Sequence, residues 1–167
     1  MPNLAYLSLG SNVGAREAHL RDAQVRLEAT GRVVAVSSFY ETEPVEFTQQ
    51  PWFLNCALAL ETSQTPQQLM AAILRLEEEM GRRRAQKKGP RSIDIDILLF
   101  GDVIMDSNDL TIPHAAMHQR RFVLEPLAEI APEALHPVFK KTIRELRDAL
   151  PAGQAVRPIP RSPLVND

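Results

Sequence analysis

The sequence predicts an α+β fold of the ferredoxin-like, split βαβ type: an antiparallel sheet with helices packed on both sides. Two observations carry this. Apolar periodicity gives the order strand–helix–strand–strand–helix–strand over the first hundred residues, and further helical segments follow that can cover the second face of the sheet.

Leu4 to Leu9 reads as a buried strand, and Gly10-Ser11-Asn12-Val13-Gly14 turns it. These glycines are read as permitting tight backbone angles at a strand-to-helix junction, with pocket lining as the lesser alternative. From Ala15 to about Thr30 the pattern is helical, with Leu20, Ala23 and Leu27 on one face and Gly31 at the expected stop. Arg32 to Tyr40 reads as a valine-rich strand, and residues 41–51 form a long proline-bracketed loop. Trp52 to Leu60 returns to strand. Phe53, Asn55, Ala57 and Ala59 fall on one face, and Leu54, Cys56, Leu58 and Leu60 on the other.

Thr65-Pro66-Gln67-Gln68 is a helix start with a capping box and proline at the first position. Leu69, Ile73, Leu76 and Met80 make its apolar face, Glu77-Glu78-Glu79 close it, and Gly81 stops it. Glu78 and Glu79 read as solvated. The next strand lies in GPRSIDIDILLF, where Ile93, Ile95, Ile97 and Leu99 alternate with Asp94, Asp96, Leu98 and Phe100. Beyond it come a short edge strand at Val103–Met105, the segment Leu110–His114, a helix over Val123–Ile130, and a second capped helix over Thr142–Leu150. Residues 1–150 make a single domain. Residues 151–167, with four prolines and no apolar period, are expected to be an extended or disordered tail.

With 167 residues, 44% hydrophobic and 24% charged, the chain can bury a real core. A net charge of −2 argues against a general nucleic-acid binder. Positive charge is local: Arg82, Arg83, Arg84, Lys87, Lys88 and Arg91. The single cysteine, Cys56, allows no internal disulfide. The opening residues lack a basic n-region, and no apolar run approaches the roughly 20 residues that cross a bilayer, so a cytoplasmic protein is expected.

Asp94 and Asp96 share one face of their strand, with backbone positions roughly 6.6 Å apart. Two oxygen-ligand groups at that spacing can hold a hard cation, and arginines a few residues upstream can hold phosphate oxygens. Together these equip a chain for phosphoryl transfer. A D-x-D is also often just the solvated end of an edge strand, Asn55 alone could be a satisfied amide, and His114 alone a structural histidine. No Walker loop is present.

The pieces LSLGSNVG, SSFYETEP, QPWFLNCAL, LEEEMGRRR, GPRSIDIDILLFGD, LTIPH and RRFVLEPLAEIAP, in that order, resemble the 6-hydroxymethyl-7,8-dihydropterin pyrophosphokinases of folate biosynthesis. The resemblance implies an ATP-dependent diphosphotransferase that passes pyrophosphate from ATP to the pterin hydroxymethyl group and releases AMP. It implies two Mg²⁺ ions on Asp94 and Asp96, and phosphate binding by the catalytic arginines Arg82 and Arg91 and by Arg84. It places Glu77, Ile97, Thr111, His114 and Arg120 near the nucleotide. Phe53 and Phe122 would sandwich the pterin, with Asn55, Thr42 and the backbone near Val45 reading its edge. Lys87, Lys88, Leu74 and Ala115-Ala116 depart from side chains found in other members. A monomer acting on small molecules, away from membranes and nucleic acid, is expected. The rival readings are a ferredoxin-like nucleic-acid-binding module using residues 82–91, and a metal-dependent nuclease or glycosyltransferase built on the D-x-D.

Overall fold

The computed structural model describes residues 2–43, 52–81, 92–153 and 155–159. In chain order its first half runs β1 (Asn3–Ser11), α1 (Arg16–Leu27), β2 (Arg32–Val36), β3 (Tyr40–Thr42), β4 (Phe53–Thr62), α2 (Pro66–Glu79) and β5 (Asp94–Phe100). The second half adds β6 (Met105–Asp106), β7 (Thr111–Ile112), α3 (Arg121–Ile130), β8 (Leu135–His136), β9 (Lys141–Thr142), α4 (Ile143–Asp148) and β10 (Val156–Pro158). The main sheet has the order β10-β3-β4-β1-β5, with β2 also on β4, and every pairing is antiparallel.

Period-two alternation sets the two faces. Ala5, Leu7 and Leu9 of β1 and Leu54, Cys56, Leu58 and Leu60 of β4 pack with Leu20, Ala23 and Leu27 of α1 and Leu69, Ile73 and Leu76 of α2. On the opposite face Ala57, Leu98 and Leu99 meet Val123, Leu124 and Leu127 of α3 and Ile143 and Leu146 of α4. Helices therefore cover both sides, as expected.

Both capping boxes form. Thr65 accepts the Gln68 N–H at 3.1 Å while Gln68 accepts the Thr65 N–H at 2.9 Å, and Thr142 and Glu145 repeat the exchange. Gly81 ends α2 with a φ of 88°, a conformation that favours glycine.

Three expectations change, and a fourth gains a contact. The strand expected over Arg32–Tyr40 is two strands. Ser37 separates them because its hydroxyl accepts the Ala57 N–H at 2.9 Å and donates to the Ser38 carbonyl at 2.7 Å, so a side chain displaces the ladder. Alternation in β5 holds only to Ile97. A bulge opposite Tyr6 and Leu7 then moves Leu99 to the α3 face and Phe100 to the α1–α2 face. The edge strand expected at Val103–Met105 is instead a small separate hairpin of β6 with β7. Within the segment expected to be an extended or disordered tail, Val156–Pro158 is extended and docks as a sheet strand, pairing with Thr42, Glu41 and Tyr40 of β3.

His136 supplies a test of the packing around the β8–β9 hairpin. Its buried ring stacks on Phe139 at 4.5 Å, and Nδ1 accepts the N–H groups of Val138 and Phe139 at 3.3 and 3.2 Å. Burial, and next the His118 charge, push its pKa below the ordinary 6.5. The folded chain then binds this proton less readily than the unfolded one. The stability contributed is complete above about pH 6.5 and is lost as pH falls below it. An NMR titration of the ring is expected to have its midpoint below that value. A midpoint at or above it would contradict the assignment.

Candidate active site

Among the described residues β5 is an edge strand that pairs only with β1, which sets Asp94 opposite Gly10 and Asp96 opposite Ser8. Both carboxylates are half-buried and line a cavity of about 420 Å³. Met70, Leu74 and Glu77 of α2 form one wall, and Asp109, Leu110, Thr111, His114 and Ala115 the other. Ile97 also borders this space. Glu77 is 1% exposed, and one carboxylate oxygen accepts the Ile95 N–H at 2.8 Å. It therefore caps the open edge of β5 from inside the cavity. Glu78 and Glu79 are exposed as expected, with Glu79 paired to Arg26 at 3.2 Å.

His114 is fixed on three sides. Its backbone N–H donates to the Leu98 carbonyl at 3.0 Å, its ring Nδ1 accepts the Ala116 N–H at 3.2 Å, and its Nε2 lies 3.9 Å from Asp96 Oδ1. The Ala116 bond assigns the ring proton to Nε2, aimed toward the carboxylate. Burial lowers the His114 pKa, Arg120 lowers it further, and Asp94 opposes them. The ring is thus a neutral donor at neutral pH. Thr111 donates to Asp106 at 3.1 Å, and the Arg120 guanidinium sits 5.5 Å from the Phe122 ring centre.

A second group lies on the same sheet face. Thr42 pairs with Phe53 across β3 and β4, and Asn55 pairs with Tyr40 on one side and Gly10 on the other. Thr42 is 2% exposed and Asn55 4%. Thr42 Oγ1 and Asn55 Oδ1 are two of the four buried side-chain polar atoms among the described residues that have no hydrogen-bond partner. Each such atom costs about 1–3 kcal/mol if nothing meets it, so a polar ligand edge is the natural complement. Phe53 and Phe122 are half-buried.

The two groups adjoin at Gly10. Gly10 is flanked in register by Asn55 on β4 and Asp94 on β5, so amide, glycine and carboxylate lie in one row across three strands. At about 4.8 Å per strand the row spans roughly 10 Å. For Gly10 the geometry favours the lesser alternative, lining the space beside Asn55, over a tight turn. The expected tight turn belongs to Gly14, with φ 67°, whereas Gly10 sits in regular strand. It serves space instead: a Cβ there would stand 2.8 Å from Asn55 Nδ2 and 3.6 Å from Phe53 Cδ1. A glycine inside an otherwise apolar strand was the available signal. Val45, Arg82, Arg84, Lys87, Lys88 and Arg91 lie outside the described residues.

Residues 6–132 match the family model described as 7,8-dihydro-6-hydroxymethylpterin-pyrophosphokinase (HPPK). The chain is 46% identical over 132 residues to the 2-amino-4-hydroxy-6-hydroxymethyldihydropteridine pyrophosphokinase of Bacillus subtilis, covering 78% of this chain and 79% of that protein. It is 42% identical over 156 residues to the folic acid synthesis protein fol1 of Schizosaccharomyces pombe, covering 92% of this chain but only 21% of that longer one. Among solved structures, Plasmodium falciparum HPPK-DHPS with SDX-DHP superposes with a TM-score of 0.70 at 18% identity, over 89% of this chain and 44% of that one. That likeness speaks to the fold. The family match and the sequence identities establish that this chain belongs to the HPPK family.

Proposed function

We propose that the protein transfers pyrophosphate from ATP to the hydroxymethyl group of 6-hydroxymethyl-7,8-dihydropterin, in folate biosynthesis. The observation that carries this is the row Asn55–Gly10–Asp94, which sets an unmet amide oxygen beside a carboxylate pair on one sheet face. A flat pterin stacked between Phe53 and Phe122 would present its polar edge to Asn55 and Thr42, and to the backbone near Val45. Its hydroxymethyl group would then point along the row toward the cavity that holds the triphosphate.

The donor set fits magnesium. Among the described residues no cluster of three or more metal-binding side chains occurs, and Asp94 and Asp96 are hard oxygen ligands. Mg²⁺ is typically held by one or two carboxylates plus substrate phosphates, so the pair suits one or two ions shared with ATP. Bound there, the metal would offset the charge of the phosphates. Arg82, Arg84 and Arg91 are assigned the phosphate oxygens, for which a planar, permanently charged fork is suited. Thr111, His114, Arg120, Ile97 and Glu77 are assigned the nucleotide side, with His114 donating from Nε2. The pterin hydroxyl oxygen attacks the β-phosphorus, the bond from that phosphorus to the oxygen bridging to the α-phosphate breaks, and AMP leaves. The hydroxyl proton passes to solvent. The protein's share is alignment and electrostatics.

The sheet order β5-β1-β4-β2 with two crossover helices supports the ferredoxin-like reading. The nucleic-acid alternative needs an open sheet face, and α3 with α4 covers the one opposite α1 and α2. No described helix is long and apolar enough to cross a membrane. A monomer in the cytoplasm acting on small molecules completes the proposal.

Incubation with ATP, Mg²⁺ and the reduced hydroxymethyl pterin is expected to yield AMP and pterin pyrophosphate in equal amounts. ADP as product, or nucleotide turnover independent of the pterin, would overturn the reading.

A further inference from the structure

Past the family's matched span, residues 155–159 lie along the strand that carries Thr42. Residues 155–159 run antiparallel to residues 39–43: Ile159 donates to the Phe39 carbonyl at 2.8 Å, and Glu43 donates to the Ala155 carbonyl at 3.2 Å. The Ala155 N–H returns a bond to the Glu43 carboxylate at 3.0 Å. Thr42, whose hydroxyl oxygen is buried and unmet, is paired on one side with Phe53 and on the other with Val156.

Arg157 adds side-chain contacts at the same place. One guanidinium nitrogen lies 3.1 Å from Glu41, and the group lies over the Trp52 ring at 4.9 Å from its centre. Arg16 holds the same two residues from the start of α1, bonding Glu41 at 3.0 Å and the Trp52 carbonyl at 2.9 Å. Glu41 and Trp52 immediately precede Thr42 and Phe53 in the chain. Two arginines, one from each end of the chain, thus bracket the backbone that carries the Thr42–Phe53 pair.

We propose that Arg157, with the C-terminal strand that presents it, is a positioning residue for the pterin site. It does not touch the reacting atoms. It fixes Glu41 and Trp52, and through them the placement of Thr42 and Phe53 against the pterin. The proposal rests on the pyrophosphokinase reading for the identity of the ligand. The ion pair is too exposed to matter much for global stability, with Arg157 at 66% and Glu41 at 23%. Its effect is therefore expected in ligand placement rather than in folding.

The test compares the full chain with Arg157→Ala and Arg157→Lys. Calorimetry measures the dissociation constant of a non-hydrolysable ATP analogue with Mg²⁺, and then that of the reduced hydroxymethyl pterin in its presence. Losing the stack and the pair in Arg157→Ala is expected to raise the pterin dissociation constant and KM about fivefold. The nucleotide dissociation constant and kcat are expected to stay within about twofold, because their residues lie beyond Gly10. Arg157→Lys keeps the charge facing Glu41 but loses the flat guanidinium, and is expected to fall between. An unchanged pterin constant in Arg157→Ala overturns the brace while leaving the pyrophosphokinase reading intact. Equal weakening of both ligands also overturns it, since that marks a general loss of structure. Failure of the unmodified chain to bind the pterin removes the functional reading, and the brace with it.

Discussion

Asp96→Ala is expected to lower AMP formation by about 10³-fold or more while the protein stays folded. The size follows from what the side chain is asked to do. It sits opposite Ser8 on an edge strand, 3.9 Å from His114 Nε2, and faces the cavity assigned to the triphosphate. Loss of a single electrostatic stabiliser aimed at a reacting group commonly costs about 10²–10³ in rate, and loss of a metal ligand also disturbs the partner carboxylate's hold. The fold should not notice. The Asp96 side chain is 40% exposed, and its neighbours Ile95 and Ile97 keep the strand anchored in the core. Substitutions of that kind change stability by about 0.5 kcal/mol or less, which for a chain of this size moves the melting temperature by roughly 2 °C. Steady-state rates and a thermal melt on the same preparation decide the matter. A rate within tenfold of the unmodified protein would remove the two-carboxylate mechanism.

What the sequence makes legible are features written in local repeats. The faces of β4 follow from strict alternation, and Leu54, Cys56, Leu58 and Leu60 pack together as that pattern requires. The capping boxes at Thr65 and Thr142 are each complete within four residues. Asp94 and Asp96 share a face for the same local reason. What stayed hidden depends on partners distant in the chain. The bulge in β5 cannot be read locally, because Leu98 and Leu99 are both apolar and suit either face. The break at Ser37 depends on Ala57, and the docking of Val156–Pro158 depends on residues 40–42. Glu77 reads as part of an acidic helix end until the Ile95 N–H is brought to it. The family resemblance singled out Asn55 and His114. The geometry supplies the physical reason for attending to them, an unmet amide oxygen in one and a Nε2 turned toward a carboxylate in the other.

Gly10→Ala is the sharper test of the site's organisation, because it adds one methyl group and touches no functional atom directly. The new Cβ would lie 2.8 Å from Asn55 Nδ2, closer than such contacts allow, and 3.6 Å from Phe53 Cδ1. Asn55 is short and 4% exposed, so its amide has to swing away from the position that leaves Oδ1 facing the ligand space. On the proposed reading, losing the amide's hydrogen bonds to a buried pterin edge, with polar groups left unmet on both sides, amounts to about 2–3 kcal/mol, or roughly 10²-fold in pterin affinity. Stability is expected to fall only modestly, by about 1 kcal/mol, because the strand preference of alanine over glycine, about 0.5–1 kcal/mol at a position without a positive φ, offsets part of the cost of displacing the buried amide. Nucleotide affinity should change by no more than about threefold, because Asp94 lies on the other side of the glycine. A double-mutant cycle isolates the cause. If the methyl group acts by displacing the amide, then Gly10→Ala combined with Asn55→Ala should bind pterin no worse than Asn55→Ala alone. Fully additive losses would mean that Gly10 serves the pterin by a route independent of the amide, and no loss in Asn55→Ala alone would mean that the amide does not read its edge.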